Sequence, residues 1–107
     1  MKRSILIAMT LALTGAAFVS SADANWRGHH PRRAEVNARL NNQARRIHQE
    51  RKEGELTARQ AADLHAEDRG IRAQERFDAS QNGGHITRAE QVQLNHEENG
   101  VSRQIGR

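Results

Sequence analysis

Large apolar side chains recur along this chain at intervals of four and seven. Val36, Leu40 and Ile47 form one such series, Leu64 and Ile71 a second, and Leu94, Val101 and Ile105 a third. Those spacings place each series on one face of a helix. No stretch alternates apolar and polar β-branched residues, so strands are not expected. Pro31 is the single proline, and the sequence beyond it is rich in the helix formers Ala, Arg, Gln and Glu. The pattern predicts an all-α fold of three helices, over about 33–52, 58–80 and 88–104. Short connections make sequential helices antiparallel neighbours. Gly70 falls inside the second helix and is a candidate kink.

The second and third helices begin alike, because the chain carries a 30-residue internal repeat. In one ungapped register Gly54, Leu56, Thr57 and Gln60 fall over Gly84, Ile86, Thr87 and Glu90. The register continues through Leu64/Leu94, Glu67/Glu97, Asp68/Glu98, Gly70/Gly100, Ile71/Val101 and Gln74/Gln104. Upstream, Arg46-Ile47 falls over Arg76-Phe77. Thr57 with Gln60, and Thr87 with Glu90, have the spacing of a capping box, in which two side chains satisfy two free amide donors at a helix start. Gly54 and Gly84 sit where the preceding helices must end in a left-handed turn.

The N-terminus has a different pattern. Lys2 and Arg3 precede an uncharged run over 4–22, and Ala22-Asp23-Ala24 places small residues three and one before a cleavage point. This is the pattern of an export signal over 1–24. Its apolar heart, 5–19, is short against the roughly 20 residues of a spanning helix. Residues 25–33, NWRGHHPRR, read as a flexible lead-in broken by Gly28 and Pro31, and 34–107 as the helical domain. The expected location is the periplasm or the exterior, with no membrane span after cleavage.

Composition narrows the functional classes. The 107 residues hold 17 Lys+Arg, 13 Asp+Glu, 6 His and no Cys. Without cysteine the fold has no disulfide to staple it. Beyond Ala24 only twelve Leu, Ile, Val and Phe residues remain, Phe77 and Val92 among them. A core that thin is marginal and offers no deep enzyme pocket. No Gly-x-Ser-x-Gly, phosphate-cradling glycine loop or His-Glu-x-x-His occurs, so no enzyme and no cofactor are expected. The basic excess is spread among acids on every predicted helix and lacks stacking aromatics, which argues against nucleic acid. An anionic envelope surface or an acidic protein partner suits it better.

Two resemblances follow from these residues. Asn42-Gln43, Arg46-Ile47, the two Gly-x-Leu/Ile-Thr starts, Leu64, Glu75, Leu94-x-His96, Asn99, Ser102 and Ile105 together resemble a family of small exported proteobacterial helical proteins. That likeness spans about residues 36–105 and implies a helical fold and export, without a chemistry. Locally, Leu56-Thr57-x-x-Gln60 is similar to the LTxxQ motif of the Spy/CpxP periplasmic stress proteins, which implies a chaperone-like role. The second copy departs from it, with Ile86 and Glu90 in place of Leu and Gln.

Candidate chemistry is sparse. Asp78, Ser80, Asn82 and Glu90 are spaced like the ligands of a degenerate EF-hand loop over 78–90, although one residue too many separates Gly83 from Glu90. His29 and His30 are candidates for a surface metal site. The acidic pairs Glu67-Asp68 and Glu97-Glu98 are expected to solvate the helices and pair with arginines such as Arg69 and Arg72. The function these features favour is an exported, non-enzymatic helical binding protein, chaperone-like, acting on envelope proteins or on itself. The alternative is metal binding through the 78–90 loop or the surface histidines.

Overall fold

The computed structural model describes residues 21–106. Within them lie four helices and no strand: α1 (Ser21–His29), α2 (Pro31–Lys52), α3 (Ala58–Gln81) and α4 (Arg88–Ile105). Nearly all of the expected export signal lies outside the described residues; its last four, 21–24, open α1.

The lead-in expected over 25–33 is helical on both sides of a break at His30: residues 25–29 belong to α1 and 31–33 to α2. Gly28 weakens a helix by about 1 kcal/mol relative to Ala, and long-range contacts offset it. Trp26 stacks on His30, with ring centroids 4.8 Å apart. His30 in turn stacks on His85, from the far end of the sequence, at 4.6 Å. The break between α1 and α2 falls at His30 because Pro31 has no amide proton to continue the ladder; proline suits the first turn of α2 instead.

Both capped starts are built from the same bonds. At α3, Thr57 Oγ1 accepts from Gln60 N at 3.0 Å and Gln60 Oε1 accepts from Thr57 N at 2.8 Å. At α4, Thr87 Oγ1 accepts from Glu90 N at 3.1 Å and Glu90 Oε1 accepts from Thr87 N at 2.8 Å. Leu56 and Ile86, the residues before each cap, are buried. Gly54 and Gly84 turn the chain at φ of +83° and +94°, a region that L side chains rarely adopt. Gly70 interrupts nothing: α3 runs unbroken through it.

α2, α3 and α4 each pack against the other two, while α1 lies against α2. Polar contacts fix how the ends meet. Arg33, near the start of α2, bonds Glu75 in the last third of α3 and the carbonyl of Gly84 at 3.0 Å. Arg46, toward the end of α2, reaches Ser102 Oγ and the carbonyl of Gly106 beyond α4, each at 3.3 Å. Gln104 of α4 bonds Glu67 of α3 at 3.0 Å. The enclosed core holds Val36, Leu40, Ile47, Leu56, Ala61, Leu64, Ile71, Ala79, Ile86, Leu94, Val101 and Ile105. Phe77 and Val92 do not join it and are 60% and 58% exposed. Phe77 lies two residues past the buried Glu75 and two before the buried Ala79, which turns it away from α2 and α4.

Candidate functional site

Near the middle of the bundle each apolar stripe is interrupted by a polar residue at a core position. In α2 it is Gln43, between Leu40 and Ile47; in α3 Asp68, between Leu64 and Ile71; in α4 Glu98, between Leu94 and Val101. Gln43 and Glu98 are 0% exposed and Asp68 is 7% exposed. One polar group from each helix therefore stands where a coiled-coil seam takes an apolar one.

The bonding there is lopsided. Gln43 Nε2 donates to the carbonyl of Glu98 at 2.7 Å and to Ser102 Oγ at 2.9 Å. Gln43 Oε1, both carboxylate oxygens of Asp68 and both of Glu98 are buried without a hydrogen-bond partner among the described residues. The two nearest arginines are held elsewhere. Arg72 donates to Asn41 Oδ1 at 3.0 Å and to Asn37 Oδ1 at 3.4 Å. Arg39 bonds the side chain of Asn99, and its other Nη lies 3.9 Å from Glu98 Oε1, beyond hydrogen-bond range. The expectation that these acids would solvate the helices is thus corrected at Asp68 and Glu98, which heptad geometry turns inward; Glu98 keeps a long ion pair with Arg39, while asparagines hold the Arg72 guanidinium.

Burial raises both acids. The Asp68 carboxyl is pushed up to about 6 by loss of solvent, an effect opposed by Arg72 and reinforced by Glu67. The Glu98 carboxyl is pushed up to about 7, again first by burial; Arg39 and Arg72 oppose this, and the charges of Asp68 and Glu35 add to it. Removal of a carboxylate from water disfavours its charged form, and a second carboxylate nearby disfavours it further.

A third buried acid, Glu75, is 1% exposed and is met by the Arg33 guanidinium. Close by, the end of α1 and the turn into α4 build a ring stack. Trp26, His30 and His85 lie face to face, and the Arg33 guanidinium carbon stands 5.3 Å from the Trp26 ring centre. His30 Nδ1 is buried there without a partner among the described residues.

The other sequence candidates are dispersed. Asp78 and Ser80 lie in the last turns of α3, where Asp78 accepts from Gln74 Nε2 at 2.8 Å and Ser80 donates to the carbonyl of Phe77 at 2.6 Å. Asn82 ends α3 and donates to Glu90, which also serves the cap of α4. His29 is exposed and its Nδ1 bonds the Asn25 carbonyl oxygen at 2.9 Å, away from the stack. Among the described residues no three His, Asp or Glu side chains gather as a metal would need. No described helix is long and apolar enough to cross a membrane. No protein-family model, curated protein or solved structure matches the chain.

The sequence reasoning missed the polar layer and the His85 partner of His30. The layer had a signal, because Gln43, Asp68 and Glu98 fill the gaps in the heptad stripes. The stack had none, since 55 positions separate its two histidines in the chain.

Proposed function

We propose that this is an exported, non-enzymatic helical binding protein of the cell envelope, periplasmic or secreted, built as three antiparallel helices whose second and third derive from a 30-residue repeat. Its partners are envelope proteins exposing apolar segments, or further copies of itself. An anionic envelope surface is a natural support for its basic excess. The observation that supports this reading best is the interruption of a thin apolar core by five buried, unpartnered oxygens. A bundle interrupted in this way has little stability in reserve, and association is a common means by which small folds gain it. Exposed Phe77 and Val92, one on each of two packed helices, give apolar footholds between polar neighbours.

The test is the light scattering of an aggregating client protein as the chain is added, with sedimentation velocity of the chain alone. Suppressed aggregation at a few-fold molar excess supports client binding, and a concentration-dependent increase in sedimentation supports self-association. Unchanged scattering together with a monomer at all concentrations overturns the proposal.

Metal binding is a second reading, now favoured by a different observation. His30 carries a buried, unpartnered Nδ1 and lies against His85. Calorimetric titration with zinc, copper and nickel tests it, with His30→Ala and His85→Ala each expected to abolish the heat. Calcium tests the 78–90 loop in the same way, through Asp78→Ala.

A further inference from the structure

The centre of the bundle presents five oxygen acceptors and no donor between them. They are Gln43 Oε1, both oxygens of Asp68 and both of Glu98, one group from each of α2, α3 and α4. A buried carboxylate without a hydrogen bond is among the costliest groups a fold can enclose. One proton changes the count. A protonated carboxyl is neutral and supplies an O–H donor where the fold otherwise encloses a charge among acceptors.

We propose that Asp68, Glu98 and Gln43 form a proton-binding site in the core, filled when the bundle is closed and emptied when the helices part, so that acid tightens the fold and a rise toward alkaline pH loosens it. The step is balanced. A proton from solvent forms one O–H bond with a carboxylate oxygen, no other covalent bond changes, and opening returns the proton to solvent.

The groups facing the site come from all three helices. α2 contributes Glu35 and Arg39, α3 contributes Glu67 and Arg72, and α4 contributes Glu98 itself, which feels the charge of Asp68. Arg39 and Arg72 favour the charged carboxylates, but both are bonded to asparagines and neither donates to the acids. Glu35, Glu67 and the mutual repulsion of Asp68 and Glu98 favour the neutral form, and burial favours it most. The same arginines distinguish a proton from a metal ion. A divalent cation among these oxygens would meet two positive charges and would need a larger shell of ligands. A proton needs a single carboxylate oxygen.

Thermal unfolding of the full chain between pH 4.5 and 8.5, at constant ionic strength, tests the proposal. Tm is expected to fall by about 5–15 °C from pH 5 to pH 8. In the double variant Asp68→Asn with Glu98→Gln that fall should largely vanish; the six histidines remain, so the variant's own slope is the reference. If the variant does not fold, carboxyl carbon NMR of the unaltered chain decides. Two carboxyls titrating between pH 5.5 and 7.5 support the site, whereas all carboxyls titrating near 4 overturn it. A Tm that is flat or rises over this range also overturns it. So does a rise in Tm with millimolar calcium at pH 7.5 that the double variant loses, which would assign the oxygens to a cation.

Discussion

Glu75 and Glu98 are equally buried, yet the bundle treats them in opposite ways. Glu75 lies toward the end of the bundle where α2 begins and α3 finishes. There Arg33 crosses between helices and anchors its far side on the Gly84 carbonyl. Glu98 lies mid-bundle with Asp68, where Arg39 and Arg72 are held by Asn99, Asn37 and Asn41. The first acid keeps its charge partner within bonding distance. The other two have no hydrogen bond, only the charge of Arg72 and a long ion pair from Arg39 to Glu98, and for them protonation relieves the desolvation. Whether a buried carboxyl in this fold is hydrogen-bonded thus depends on what occupies the nearest guanidinium, not on depth.

The sharpest way to break this comparison is to remove Arg33. Arg33→Ala leaves Glu75 buried without a counterion, and the expected loss is about 3–5 kcal/mol in urea unfolding. Adding Glu75→Gln should recover part of it. A loss under about 1 kcal/mol would mean that Glu75 does not depend on its partner, and the contrast with Glu98 would collapse.

Glu98→Gln probes the other side, and its sign depends on pH. The folded-state value, about 7, lies above the ordinary glutamate value of 4.5. The folded chain therefore binds more protons than the unfolded chain between those two values, and stability falls as pH rises through that window. The full penalty is present above about pH 7 and absent below about pH 4.5. The substitution is expected to stabilise on the order of 1–3 kcal/mol at pH 8 relative to its effect at pH 4.5. Denaturant midpoints at the two pH values measure the difference, and an equal effect at both would remove the special status of Glu98.

Smaller effects test the repeated ends of the helices. Thr57→Ala and Thr87→Ala should each cost about 0.5–2 kcal/mol and should add, since the two caps share no partners. Far-UV circular dichroism melts follow this directly. A double variant that melts like the parent would contradict the bonds seen at both caps.

The least effect is expected at Phe77. Phe77→Ser should change stability by less than about 0.5 kcal/mol, because the ring lies in solvent. Ile47→Ala, at the matching repeat position, should cost about 2–5 kcal/mol, because Ile47 is 0% exposed. Equal costs at the two positions would mean that Phe77 is covered in solution, by a partner or a second copy.

Much of this fold could be read from neighbouring residues. Helix formers, the lone proline, Thr57 with Gln60, Thr87 with Glu90 and the glycines at the turns act within about four positions of one another. Pattern alone therefore places the starts of α3 and α4 and the turns before them. The apolar stripes likewise named most of the core, from Val36 to Ile105. The candidate site was only half legible: Gln43, Asp68 and Glu98 occupy the gaps in those stripes, and residue type alone had assigned the two acids to the solvated face.

Which way each face turns was decided by packing. The Arg46-Ile47 and Arg76-Phe77 pairs look alike in sequence, but Ile47 is fully buried and Phe77 faces water. Similar local sequence builds the same cap at Thr57 and Thr87; it does not bring the same neighbours, because each helix meets a different pair. For the same reason the helical state of residues 25–29, the His30–His85 stack and the diversion of Arg39 and Arg72 to asparagines could not be read locally. Each depends on groups more than 30 positions apart or on a choice among several partners, which only the closed bundle makes.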